Sequence, residues 1–211
     1  MSYIFGDDGT FSGYYNDGDT RVFILEGLNQ CLSEDIVQAA IRGRTPSEIG
    51  GFQVLRYMGE PVLRDIAATV YSESGHNRDE SEGIARVIRN RAEHRALTYE
   101  LGFLARIGGN AMYGRRSSRY ATANNQTIEH WTGNMLSDLE STVRGLVNRT
   151  DITNGAYFWE GTSLLQKPSH PWRRYLDGHP PIWITTAVLG RTTFCAYNPD
   201  GPRKYRNNVW P

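Results

Sequence analysis

The chain has 211 residues with 23 basic and 23 acidic side chains, so its formal net charge is zero. This balance argues against a dedicated nucleic-acid binder, which carries a basic excess on one element. Hydrophobic residues make up 39% and aromatic residues 11% of the chain, and the length suits one domain with a sizeable core. The uncharged apolar stretches 66–72 and 182–190 are shorter than the about 20 apolar residues that span a bilayer. We therefore expect no membrane insertion.

The N-terminal region differs in character from the rest of the chain. The first twenty residues are rich in Gly, Asp and Tyr and lack helical periodicity, which predicts an irregular or short-stranded arm. A helix-like segment follows from Ser33, with acidic residues in its first turn. We divide the chain into an N-terminal extension, residues 1–55, and a second domain, residues 56–211. The extension, an arm plus a helix, packs on this domain or leads into it.

Three helices are indicated in the middle of the chain. The first runs to about Ser74 and has an apolar face at the spacing i, i+3, i+4 and i+7, formed by Leu63, Ile66, Ala67 and Val70. The other two begin with capping-box patterns, in which an acid follows the N-cap residue by three positions. These pairs are Asp79 with Glu82, and Ser137 with Glu140.

Strand-forming residues dominate after Gly155. Residues 182–188 and 191–197 predict two strands that turn at Gly190. The predicted fold class is therefore α+β and mainly helical, with a small β element near the C-terminus.

Cysteine and histidine spacing gives no indication of a metal centre. Cys31 and Cys195 are compatible with one long-range disulfide or with two free thiols. The five histidines show no H-x-x-x-H or H-E-x-x-H spacing, and structural zinc sites need close ligand pairs. We therefore expect no metal and no cofactor.

The segment IAATVYSESGHN, residues 66–77, carries the candidate catalytic residue. Glu73 follows Ile66 and Val70 by seven and three residues, at the edge of the buried face and just before Gly75. Burial and the negative end of the helix dipole both favour a protonated carboxyl group. A glycosidic leaving oxygen needs such a proton donor. The alternative interpretation is a solvated acid near a helix end.

Four segments, in order along the chain, resemble the SleB-like cell-wall hydrolases, the spore-cortex-lytic family. Tyr71-Ser72-Glu73 resembles the Y-A-E-A signature, and EGIARVIRNRA, residues 82–92, resembles the family's helix ending in Asn-Arg. DITNGAYFW, residues 151–159, is similar to the D-P-T-G-G-A-aromatic segment, and residues 184–198 are similar to the closing hairpin. The stretch from Glu73 to Asn77 also resembles the E-S-G-aromatic-N motif of lytic transglycosylases.

The resemblance implies that residues 56–211 form a catalytic domain of lysozyme-like fold. This domain would cleave peptidoglycan between N-acetylmuramic acid and N-acetylglucosamine, with Glu73 as acid and base. The second acidic residue of the family is replaced here by His76 or Asn77. Asp151 and Glu160 are the other candidates for a second carboxylate, which a hydrolase of the muramidase type needs. Since neither is a strong candidate, we favour the route of a lytic transglycosylase, which uses one glutamate.

Glycan binding is expected from short polar groups and aromatic faces. Ser74 follows the acid in the motif, and Tyr157 and Trp159 share a face if their segment is a strand. Tyr120 lies in an expected loop over the glycan, although an ordinary half-buried tyrosine is the alternative. A basic cluster nearby either contacts the acidic wall polymer or is a solvated charge run. Its members are Arg115, Arg116 and Arg119.

The substrate lies outside the cytoplasmic membrane, whereas the first residues lack the basic and apolar regions of a secretory signal. We therefore expect synthesis in the cytoplasm and action in the periplasm of a target cell, after delivery by a secretion apparatus or by phage-type release. An antibacterial effector of the type VI kind fits this description. The expected partners are peptidoglycan, a cognate immunity protein and a component of the apparatus. The alternative function is a non-catalytic module that binds cell-wall glycan.

Overall fold

The computed structural model describes residues 1–42, 44–93 and 117–201. Its strands are β1 (Ser2–Gly6), β2 (Phe11–Tyr15), β3 (Arg21–Leu25), β4 (Glu48–Ile49), β5 (Phe52–Gly59), β6 (Phe158–Gly161), β7 (Trp183–Leu189) and β8 (Thr192–Tyr197). Its helices are α1 (Glu34–Ile41), α2 (Glu60–Glu73), α3 (Arg78–Glu93), α4 (Ser118–Asn124), α5 (Gly133–Val147), α6 (Thr162–Leu165) and α7 (Arg173–Leu176), with a 3-10 turn at Ile128–His130. None of the helices in these ranges combines the length and hydropathy that a membrane span requires.

Five N-terminal strands form a curled mixed sheet in the order β2-β1-β3-β5-β4. β1 runs antiparallel to β2 and parallel to β3, with Tyr3 opposite Val22. β3 runs antiparallel to β5, with Val22 opposite Met58. The central strands β1 and β3 are buried almost throughout, because helices cover both faces of the sheet.

The two faces of this sheet belong to different apolar clusters, since successive residues of a strand point to opposite sides. The first face packs against α1, through Ile4, Phe23 and Leu25 on the sheet and Val37 and Ile41 on the helix. The second face packs into the main core with α2, α3 and α5, through Tyr3, Phe5, Val22, Ile24 and Met58. The sheet therefore forms one side of the core that surrounds α2.

The predicted fold class is wrong in its account of the strands. It placed a small β element near the C-terminus of a mainly helical, lysozyme-like fold, whereas the larger sheet lies in the N-terminal half. The central strands, residues 2–6 and 21–25, are short apolar runs buried on both faces. They therefore lack the alternation that identifies a strand in a sequence. β5 also runs across the predicted boundary at residue 55 and continues directly into α2.

The helices of the main core agree in part with the sequence. The predicted apolar face of α2 is confirmed by the burial of Leu63, Ile66, Ala67 and Val70. α3 begins at Arg78, two residues earlier than the predicted cap at Asp79 allows. The side chain of Asn77 caps it, since Oδ1 accepts the backbone N–H groups of Asp79 and Glu80, both at 3.1 Å. The predicted cap at Asp79 is therefore wrong.

Helix α5 begins at Gly133, earlier than predicted, and crosses α3 very closely. At the crossing, a Cβ on Gly145 would lie 2.5 Å from the carbonyl oxygen of Glu82 and 2.8 Å from the Cβ of Ala85. Glycine therefore allows the two backbones to approach each other. Across the same interface, the Glu82 carboxylate accepts a hydrogen bond from Arg144 Nε at 2.9 Å, in place of its predicted capping role.

The predicted strand pair near the C-terminus is confirmed. β7 and β8 pair antiparallel and turn at Gly190, which has a φ of 57°. β6 adds to the other side of β8. Cys195, in β8, is buried and Cys31 is exposed, and both are free thiols, so the disulfide alternative is wrong.

Candidate active site

Glu73 is the last residue of α2 and is half-buried. The indole N–H of Trp159, in β6, is the hydrogen-bonding group that acts on the Glu73 carboxyl group and lowers its pKa. Trp159 is 8% exposed and is part of the main core. Packing therefore fixes the position of this donor.

The surroundings of Glu73 raise the pKa of its carboxyl group above the usual value. Burial is the largest cause, because it penalises the charged form. The hydrogen bond from Trp159 lowers the pKa, the negative charge of Glu160 raises it, and the positive charge of Arg119 lowers it. The resulting pKa lies in the direction that the sequence predicted for a proton donor.

Glu160 follows Trp159 in β6 and supplies a second carboxylate whose charge acts on Glu73. Its Oε2 lies 3.5 Å from Nε2 of His170, and its Oε1 accepts the backbone N–H of Gly161 at 2.8 Å. Both side chains of the pair with His170 are mostly buried. These contacts therefore fix the Glu160 carboxylate, which is not a solvated surface group.

Asp151, the other candidate for a second carboxylate, has both oxygens engaged. Oδ1 accepts the backbone N–H and the hydroxyl of Thr153, at 2.8 and 2.6 Å. Oδ2 accepts from Asn90 Nδ2 and from the backbone N–H of Gly155, both at 2.9 Å. Burial alone would raise the pKa of Asp151, but these hydrogen bonds lower it below the usual value. Asp151 therefore stabilises the turn at residues 151–155 and links this turn to the C-terminal end of α3.

Arg119, in α4, closes the C-terminal end of α2. Its Nη2 donates to the carbonyl oxygens of Tyr71 and Ser74, the second at 3.3 Å. The guanidinium lies 4.8 Å from the centre of the Tyr71 ring. The last carbonyl groups of a helix lack intrahelical partners, and a cation stabilises them. The sequence showed Arg119 only as part of a basic cluster, whose other members, Arg115 and Arg116, lie outside the described residues.

Asp138, in α5, binds the loop that follows Glu73. It is 1% exposed, and its Oδ2 accepts the hydroxyl of Ser74 at 3.2 Å and faces Nδ1 of His76 at 2.7 Å. Its Oδ1 accepts the hydroxyl of Ser81 at 2.6 Å. Sequence reasoning missed Asp138. The available signal was its spacing of seven residues before Gly145, which places a carboxylate on the helix face that meets α3.

Two of the residues predicted to bind glycan make internal contacts. Ser74 is 2% exposed, and its hydroxyl donates to Asp138. Tyr120 lies in α4 and not in a loop, and its hydroxyl donates to the carboxylate of Asp65 in α2. These contacts hold the end of α2 and the helix beside it, and the glycan-binding roles of Ser74 and Tyr120 stay predictions.

The other two predicted binding residues separate onto different clusters. Tyr157 packs against a small aromatic cluster that contains Phe158 and Trp183, whereas Trp159 lies in the main core. The predicted shared face of Tyr157 and Trp159 is therefore not formed. Trp159 lies at the site through its hydrogen bond to Glu73, and binding of glycan by Tyr157 stays a prediction.

Within the described ranges, no group of three or more His, Cys, Asp or Glu side chains is arranged to hold a metal ion. Comparisons with protein-family models, with curated proteins and with solved structures find no match to this chain. The resemblance to the SleB-like hydrolases thus rests on the four sequence segments.

Proposed function

We propose that the protein cleaves the glycan strand of peptidoglycan between N-acetylmuramic acid and N-acetylglucosamine, with Glu73 as the acid. The observation that carries the proposal is the half-buried carboxyl group at the end of α2, whose pKa is raised chiefly by burial. Cleavage of a glycosidic bond needs a donor that is still protonated near the working pH. The four segments that resemble SleB-like cell-wall hydrolases support the same substrate.

Two routes follow the transfer of the Glu73 proton to the glycosidic oxygen. In hydrolysis, water attacks C1 and gives its proton to a second carboxylate, which leaves a reducing end. In transglycosylation, the muramoyl 6-hydroxyl attacks C1 and gives its proton to Glu73, which leaves a 1,6-anhydro sugar. The motif favours the second route, whereas the charge of Glu160 beside Glu73 supports the first.

Incubation with purified peptidoglycan sacculi, followed by mass spectrometry of the released fragments, tests the proposal. Anhydro-muropeptides identify a transglycosylase, and reducing ends identify a hydrolase. We expect Glu73→Gln to reduce release on the order of 10² to 10⁴ fold, which is the usual contribution of a general acid. Glu48→Gln is the matched control, since Glu48 is exposed in β4.

Circular dichroism must show that both variants keep the native fold. If Glu73→Gln releases fragments at the wild-type rate, Glu73 is not the acid. If the wild type releases nothing and only sediments with sacculi, the chain is a glycan-binding module and the enzymatic proposal is wrong.

A further inference from the structure

A continuous line of contacts leads from the core to the end of α2. The Oδ2 atom of buried Asp138 lies 2.7 Å from Nδ1 of His76. The Nε2 atom of His76 lies 2.7 Å from Nη2 of Arg119. Arg119 in turn donates to the carbonyl oxygens of Tyr71 and Ser74. These two carbonyls flank Glu73, so the line ends on the backbone that carries the acid.

The partners of His76 fix the position of its ring. A carboxylate accepts, so Nδ1 donates to Asp138. The Nη2 atom of Arg119 lies 2.7 Å from Nε2 and 3.4 Å from Nδ1, so the guanidinium lies over the face of the same ring. Asp138 therefore orients the ring against which Arg119 packs.

Stacking and backbone conformation hold the same residues. The ring of His76 lies 5.1 Å from the ring of Tyr71, and the guanidinium of Arg119 lies 4.8 Å from that ring. His76 has a φ of 61°, a conformation that costs energy in a residue other than glycine and persists where the surroundings determine it. Its backbone N–H donates to the Ser74 hydroxyl at 3.3 Å, which Asp138 also binds.

A purely structural role accounts poorly for these contacts. The end of α2 is already closed by a backbone hydrogen bond from Ser74 N–H to the carbonyl of Val70 at 2.8 Å. The side chain of His76 is 26% exposed and does not fill the core. Arg119 also acts electrostatically on Glu73, as described above.

We propose that Asp138, His76 and Arg119 form a positioning relay that holds Glu73 in place for proton transfer. Asp138 fixes the orientation of the His76 ring, the face of that ring packs against the guanidinium of Arg119, and Arg119 holds the backbone on either side of Glu73. None of the three is assigned a contact with the substrate. The relay rests on the proposed function for its catalytic meaning, but its physical effect on Glu73 exists without substrate.

The test measures the titration midpoint of Glu73 by NMR, in protein whose glutamate carboxyl carbons are labelled. The Glu73→Gln variant assigns the signal, because only the Glu73 signal is missing from its spectrum. Arg119→Gln removes the positive charge, so the titration midpoint of Glu73 should move to higher pH. His76→Phe keeps a ring beside Tyr71 but offers Asp138 no donor, so the ring and Arg119 lose their fixed position and the midpoint should move in the same direction. His76→Gln keeps a donor for Asp138 and a planar group against Arg119, and it should restore the wild-type midpoint.

The activity measurements on sacculi extend the test. His76→Phe should lower kcat on the order of a hundredfold with little change in KM, because misplacement of a reacting group acts on the chemical step. His76→Gln should recover most of that loss. Arg149→Gln is the matched control for Arg119→Gln, since the Arg149 side chain is 87% exposed and pairs with Glu26. It should change neither measurement.

The outcomes separate the relay from the proposed function. An unchanged Glu73 midpoint in both Arg119→Gln and His76→Phe overturns the relay, whether or not the wild type cleaves sacculi. An inactive wild type with shifted midpoints overturns the function and keeps the relay. If Arg119→Gln does not fold, Arg119→Lys replaces it, because lysine keeps the charge but lacks the planar fork. Full activity of Arg119→Lys would then overturn the relay.

Discussion

Replacement of Gly145 by alanine tests whether the close crossing of α3 and α5 is required. The new Cβ would lie 2.5 Å from the Glu82 carbonyl oxygen, 2.8 Å from the Ala85 Cβ and 3.1 Å from the Arg86 nitrogen. Two of these neighbours are backbone atoms, which cannot rotate away as the end of a side chain can. The helices must therefore separate by roughly 1 Å to restore ordinary contact distances of about 3.5 Å.

The magnitude follows from two opposing effects. Overpacking of a well-packed site costs about 1–3 kcal/mol, whereas alanine is a better helix former than glycine by about 1 kcal/mol. Because the closest contacts at Gly145 are with backbone, we expect the upper part of the overpacking range. The net loss of unfolding free energy is then about 1–2 kcal/mol, which for a chain of this size lowers Tm by about 2–8 °C.

Urea denaturation and thermal melting of the wild type and Gly145→Ala measure this loss. Ser137→Ala is the matched control, since Ser137 is exposed on the same helix and the substitution should leave stability unchanged or slightly raised. A Gly145→Ala protein as stable as the wild type would refute the reasoning. It would mean that the crossing of the two helices relaxes without cost.

Two further predictions concern titratable groups. Because the folded-state pKa of Glu73 is raised above 4.5, its contribution to stability is fully present below the unfolded-state pKa and is lost as pH rises through the folded-state pKa. Glu73→Gln should therefore be more stable than the wild type at neutral pH and lose that advantage in acid. Denaturant titrations at both pH values measure the difference in unfolding free energy between the two proteins. The same difference at neutral and at acid pH would contradict this prediction. Burial raises the pKa of the Cys195 thiol to about 11 and closes it to reagents, whereas Cys31 is exposed. A thiol-specific chromogenic reagent at mild pH should therefore modify one thiol in the native protein and two in denaturant, and rapid modification of both in the native protein would refute the placement of Cys195.

The sequence located Glu73 because the information was local. The apolar face of α2 repeats at helical spacing, and the position of Glu73 on its edge follows from counting residues along one helix. The turn at Gly190 was equally local, because a glycine between two β-branched segments specifies it. Each of these predictions needed no knowledge of what packs against the element.

The contacts around Glu73 could not be predicted, because they join residues that lie far apart in the sequence. Asp138, Arg119 and Trp159 belong to α5, α4 and β6, and tertiary packing alone brings them to the end of α2. The N-terminal sheet was missed because burial on both faces removes the alternating pattern on which strand prediction depends. Long-range packing therefore hid both the sheet and most of the site.

Because α2 follows β5 directly, the length of α2 determines the position of Glu73 relative to the N-terminal sheet. β5 ends at Gly59, α2 begins at Glu60, and its 14 residues run to Glu73, a rod of about 21 Å at 1.5 Å per residue. One residue inserted into this rod would turn Glu73 by about 100° about the helix axis and away from Trp159. The length of the segment from the sheet to the acid is therefore fixed, and a recombined protein can exchange its N-terminal sheet only together with α2.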